Sequence, residues 1–198
     1  PDDWRTDFSL AGFGALGALL GPRRLAGPSR PDSPPPDTAY TLNRHVAYHP
    51  AAPPMHLDLR QPPDAVRFHA ANLAASHHRG AHWLALPFSD PPMRSARLVH
   101  PRLPWLVDVP RHDGPLVTLF DVLWALHAVL HEPLAEADLF NVLMDERARA
   151  AVAAAFQARC GTEEERARGA RRVDFLMGEV VMEGVRPVER GMWEVCTR

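Results

Sequence analysis

Hydrophobic and polar positions alternate strictly over residues 55–60 (MHLDLR), the period-two pattern of a half-buried strand. Met55, Leu57 and Leu59 are expected to face a core, and His56, Asp58 and Arg60 the other side. Gln61-Pro62-Pro63 ends the run, because proline has no N–H to give to a ladder. Residues 70–95 show no sustained period. Residues 97–100 and 105–109 are shorter strand candidates, kept apart by Pro101 and Pro104, which hold the connection extended. The period then changes. Leu119, Val122, Leu123, Leu126 and Leu130 form one apolar stripe of a helix over 118–131. Thr118 and Asp121 stand three apart, a capping box with Asp in the place of the usual Glu, and Pro133 stops the helix. Residues 135–160 read as one or two further helices, with Gly161 as C-cap. Thr162 and Glu165 make a second capping box, opening a short charged helix to about Gly169. From Val173 the period returns to two. Residues 173–177, 180–186 and 192–197 are predicted strands, with a turn or bulge at Gly178 and a hairpin loop over 187–191.

Strands come early and late, and the helices lie between them. That order predicts an α+β domain: an antiparallel or mixed sheet with two to four helices inserted between its early and late strands. The first and last strands are expected to meet in the sheet. Residues 1–39 read as a flexible Gly/Ala/Pro-rich N-terminal arm, and residues 40–198 as a single domain. Residues 8–20 (FSLAGFGALGALL) are apolar, but Gly12, Gly14 and Gly17 interrupt them, each costing about 1 kcal/mol in a helix. Residues 21–36 are linker-like, and Pro34, Pro35 and Pro36 favour polyproline II. No apolar run approaches the roughly 20 residues that span a bilayer.

Composition narrows the chemistry. The hydrophobic content of 46% suits a packed core, and the formal net charge of −2 supplies no global field for nucleic acid. All 22 basic residues are Arg. The lack of Lys removes Schiff-base and P-loop chemistry and lowers the weight of any single Arg. Cys160 and Cys196 are too few for a disulfide framework and match no zinc spacing, which fits a reducing, intracellular compartment. Residue 1 is Pro, so the lack of a leader carries little weight.

Four groupings could carry chemistry. His56, Asp58 and Arg60 share one strand face, where a His beside a carboxylate suits a general base and an Arg an anion. The plainer reading is a polar sheet face whose charges balance. His127 and His131 are four apart on the strong helix, a spacing that places two imidazoles on one metal. His77, His78 and His82 could add a ligand. The plainer reading is a helix-end pair beside an aromatic face with Phe120 and Trp124. His100, Trp105 and Asp108 surround a stiff proline-flanked segment, either a groove floored by Trp105 or a structural plug. Arg166, Arg168, Arg171 and Arg172 follow Glu163, Glu164 and Glu165, so this run reads as a solvated, salt-linked helix. No nucleophile elbow, dinucleotide fingerprint or Walker motif is present.

The series LDLRQPP (57–63), RLVHPRLPWLVDV (97–109), LVTLFDVLWALHAVL (116–130), RRVDFL (171–176) and MWEV (192–195) resembles an uncharacterised domain family of basidiomycete, mushroom-forming fungi. The resemblance spans about residues 40–197. It implies an intracellular fungal protein and brings no catalytic residues. The function expected is a non-enzymatic module binding a protein or peptide, without cofactor, through an open sheet edge or the Trp105 region. The alternatives are a small-molecule binder or enzyme using a His/Asp/Arg pocket, and a His-ligated metal domain.

Overall fold

The alternation at residues 55–58 produces a strand, β2 (Met55–Asp58), with Met55 and Leu57 buried and His56 and Asp58 on the other side. The computed structural model describes residues 3–8, 40–69, 84–111, 114–188 and 191–198. The remaining strands are β1 (Thr41–Leu42), β3 (Arg67–Phe68), β4 (Ser89–Asp90), β5 (Ala96–Val99), β6 (Val107–Val109), β7 (Val181–Pro187) and β8 (Met192–Thr197). Between β6 and β7 come the helices α1 (Leu119–Leu130), α2 (Glu136–Leu139), α3 (Glu146–Arg159) and α4 (Glu163–Ala167). Six strands form a mixed sheet in the order β3-β2-β7-β8-β5-β6, and β1 pairs with β4 separately. β5 and β8 are parallel, and every other neighbouring pair is antiparallel. The fold is α+β, as the element order predicts. The first long strand and the last share the sheet but do not touch, because β7 lies between β2 and β8.

Local chemistry sets the helices. The Thr118 hydroxyl accepts from the Asp121 N–H at 3.2 Å, and the Asp121 carboxylate accepts from the Thr118 N–H at 2.8 Å. This closes the capping box that starts α1. Its stripe of Leu119, Val122, Leu123, Leu126 and Leu130 is buried, and the helix packs on β6. The second capping box, Thr162 with Glu165, starts α4. α3 ends on an extended Cys160 (φ −82, ψ 102), not on a left-handed Gly161. The Gly161 N–H instead donates to the Glu165 carboxylate at 2.7 Å.

The predicted strand over 173–177 is a 3-10 turn, Arg172–Leu176. Val173, Asp174, Phe175 and Leu176 are all buried, which alternation along a half-exposed strand does not allow. Asp174 drives the turn by accepting from the Arg171 N–H at 2.8 Å and from Arg159 Nε at 2.8 Å. Residues 3–8, assigned by sequence to the flexible arm, lie against the domain, with Trp4 and Phe8 buried in its core. Burial of these two rings offsets the freedom that the short segment loses.

Gly184 lies at a bulge in the β7–β8 ladder and has φ +150. Residues 46–48 cross here: the Val185 N–H donates to the Val46 carbonyl at 2.6 Å and the Tyr48 N–H to the Val185 carbonyl at 2.8 Å. A Cβ at position 184 would stand 2.8 Å from the Val46 carbonyl oxygen and 2.9 Å from Tyr48 Cα. Both are backbone atoms that cannot swing aside. Gly184→Ala is therefore expected to lose roughly 2 kcal/mol or more, from strain and displaced backbone together. Urea unfolding checks this, and an unchanged midpoint would show that the crossing is free to move.

Candidate functional site

Trp105 is 2% exposed. It packs edge-on against Phe175 at 5.0 Å and Trp4 at 6.2 Å between ring centroids. The Arg172 guanidinium lies 4.4 Å above its ring, a cation–π arrangement. Trp105 is thus a wall of an aromatic groove, and the chain's own Trp4 already fills it. Two segments make the other walls: residues 132–138 and the turn at 170–175. They are stitched together by the Leu134 N–H to the Ala170 carbonyl and the Arg172 N–H to the Glu132 carbonyl, each at 3.0 Å.

Residues 3, 4 and 5 each make a polar contact with the groove. Trp4 Nε1 donates to Asp138 Oδ1 at 2.8 Å. Asp138 is 4% exposed, and its other oxygen accepts from the Ala135 N–H at 2.9 Å, which starts α2. Arg172 Nη2 holds Asp3 at 2.8 Å while Nη1 is held by Glu132 at 2.7 Å. The Arg5 N–H donates to the Pro104 carbonyl at 2.7 Å. Phe8 returns to pack edge-on against Trp4 at 5.2 Å. Burying a Trp ring removes roughly 150–250 Å² from water, worth up to about 6 kcal/mol before entropy. Trp4 is the anchor and Asp3 the orienting charge.

The loop carrying Pro104 and Trp105 is clamped from behind. His100 Nδ1 accepts from the Arg102 N–H at 3.1 Å, so the ring proton sits on Nε2 and is given to Thr197 Oγ1 at 2.8 Å. Burial, with Arg102 and Arg5 nearby, pushes His100 down to about 3. Arg102 bonds the Leu176 carbonyl at 2.9 Å and also pairs with Glu179. His100 and Arg102 line a cleft of about 340 Å³ with Tyr48, Glu179, Arg186, Glu194 and Cys196. Its charges are already matched, Arg186 to Glu194 at 2.6 Å and Arg102 to Glu179. Burial raises the Cys196 thiol to about 11, which keeps it protonated and a poor nucleophile at neutral pH.

The other predicted residues fall elsewhere. Asp108 pairs across the β5–β6 ladder with Arg97 at 2.7 Å, away from Trp105. Asp58 is bound by its own neighbour Arg60 at 2.6 Å, and that hydrogen bond lowers its carboxyl. His56 faces Glu183 at 3.6 Å, and Glu183 also holds Arg198 at 3.0 Å. The polar face of β2 balances its charges locally. His127 and His131 do lie together, with ring centroids 3.9 Å apart. Burial and the neighbouring His131 lower the His127 pKa. His131 Nδ1 is bonded to the His127 carbonyl at 2.9 Å. His77, His78 and His82 lie outside the described residues. Among the described residues no group of three or more His, Cys, Asp or Glu is placed to hold a metal ion. Cys160 and Cys196 are both free thiols, and no described helix is long and apolar enough to cross a membrane.

Residues 55–192 match a family of unknown function, DUF6699. The chain belongs to this family. No curated protein and no solved structure matches it. The DUF6699 match contains the groove walls Trp105, Asp138, Arg172 and Phe175, but not residues 3–8, which fill the groove. The sequence reading missed Trp4, Asp138, Arg172 and Phe175 as a set. The one local signal was Trp4 and Phe8, two aromatic residues four apart among Asp3, Arg5, Thr6 and Asp7.

Two outcomes are expected. Trp4→Phe keeps a ring but leaves Asp138 Oδ1 without its indole donor, and should cost about 1–3 kcal/mol in chemical unfolding. A loss no greater than that of an exposed substitution would refute the buried bond. His100 is neutral when folded and protonates near its ordinary 6.5 when unfolded, so acid favours the unfolded chain. Stability should be fully present above pH 6.5 and fall towards pH 3 by up to about 1.4 kcal/mol per pH unit from this group. A His100→Gln chain with the same slope over that window would assign the acid sensitivity to other groups.

Proposed function

We propose that this DUF6699 domain is a non-enzymatic interaction module that holds a tryptophan-anchored peptide in the groove walled by Trp105, Asp138, Arg172 and Phe175. One observation carries the reading. A short segment outside the matched domain sits in that groove by side-chain anchor, ion pair and backbone bond together, the three contact types by which peptide-recognition domains hold their ligands. The cleft around His100 offers less to a reaction, since its His, Cys and Arg groups are bonded, protonated or paired. The resemblance to the basidiomycete domain family supports a fungal, intracellular setting. The net charge of −2 favours a protein partner over nucleic acid.

Adding the groove's ligand back in trans tests the reading. Trp4→Ala should melt several degrees below the parent chain. A synthetic octapeptide of residues 1–8 should restore much of that loss, because a ligand at 100 times its dissociation constant adds about 2.7 kcal/mol. A folded Trp4→Ala chain whose melting curve ignores the octapeptide at millimolar concentration would defeat the proposal.

A further inference from the structure

The groove's recognition chemistry is legible atom by atom. Asp138 uses one oxygen for its own chain, at the Ala135 N–H, and turns the other to the groove. A buried acceptor of this kind calls for a donor-only partner, and the indole N–H is the large apolar side chain that supplies one. Arg172 is fixed by Glu132 through Nη1, so Nη2 is aimed at the residue before the tryptophan, where it meets a carboxylate. The next residue gives its backbone N–H to the Pro104 carbonyl, and its guanidinium lies 5.7 Å from the Phe8 ring centroid, so a basic side chain adds to the fit there. An aromatic four residues after the tryptophan closes over it edge-on. The groove therefore specifies an acidic residue, then Trp, with an aromatic four positions on.

Residues 9–39 join this segment covalently to the domain. A tethered ligand acts at an effective concentration of about a millimolar, so it outcompetes a free peptide of similar affinity that is present below that concentration. An empty groove is costly as well. It would leave Asp138 Oδ1 without its donor and expose the faces of Trp105 and Phe175, so exchange of occupants is favoured over vacancy.

We infer that Asp3–Phe8 is a pseudoligand that closes the groove in cis, and that the partner it excludes is a protein segment bearing an acidic residue directly before a tryptophan. This regulation rests on the peptide-binding reading above. Any event that draws residues 3–8 away raises the apparent affinity for the partner, and a sufficiently abundant partner displaces them unaided.

The test uses the full chain and a fluorescein-labelled octapeptide of residues 1–8, read by anisotropy. Trp4→Ala should bind it at least tenfold more tightly than the parent. Asp3→Arg should fall between them. It retains the Trp4 anchor and alters a half-exposed side chain, so it keeps the comparison open should Trp4→Ala fold poorly. An octapeptide with Asn in place of the Asp before Trp should bind severalfold more weakly. Equal affinity of the parent and both variants would overturn the pseudoligand while leaving peptide binding intact. No binding to any of the three chains would instead overturn peptide binding itself. Indifference to the Asn exchange would remove the acidic requirement.

Discussion

The Asp174 carboxylate is 2% exposed, and α3 is tied to the 172–176 turn through it. It survives there because its acceptor sites are taken: Arg159 reaches it with Nε at 2.8 Å and Nη2 at 2.9 Å, and the Arg171 N–H at 2.8 Å. The bond to Asp174 in turn raises the Arg159 pKa. A buried pair of this kind adds little net stability over an apolar substitute, but breaking it costs about 3–5 kcal/mol. Its worth is positional. It seats the end of α3 on the 172–176 turn, and that turn presents Phe175 and Arg172 to Trp105. α3 needs the tie, since it buries only Ala148 and Val152.

The same turn shows where sequence reading ran out. Residues 173–177 (VDFLM) contain no breaker, and period two could be read into them from either neighbour. What decides their conformation is Arg159, fifteen positions upstream, and no local pattern reports such a partner. α1 and α4 were legible because both ends of each capping box lie within one turn of chain. β2 and β8 were legible because alternation is local too. The parallel pairing of β5 with β8 was not, because it joins residues 97–99 to residues 192–194.

The candidate site divides in the same way. Trp105 and His100 stand out in sequence as unusual residues in a stiff segment; Trp105 lies against Trp4, and His100 braces the loop from behind. Their roles were open, since whether a tryptophan floors an empty groove or a full one depends on Trp4, about a hundred positions away. Asp138 reads locally as an ordinary acidic residue in the first turn of a helix. Its second task, accepting from the Trp4 indole, is a contact separated by 134 positions. The loop at 100–105 joins the two halves of this arrangement. One side is locked by His100 on Thr197 and Arg102 on Leu176, and the other offers Pro104 to the bound segment. The Pro104 carbonyl is thereby held in place for the Arg5 N–H.

β8 occupies the interior of the six-stranded sheet, between β7 and β5, although it is the last strand in sequence. During synthesis, β2, β5 and β6 leave the ribosome long before the strand that unites them. The edge of β5 has no partner until residues 192–194 emerge. Pairings of such large sequence separation form slowly, and exposed strand edges invite association while they wait. The nascent chain thus has a long window in which chaperones, or a neighbouring nascent copy, reach an edge that the finished protein conceals.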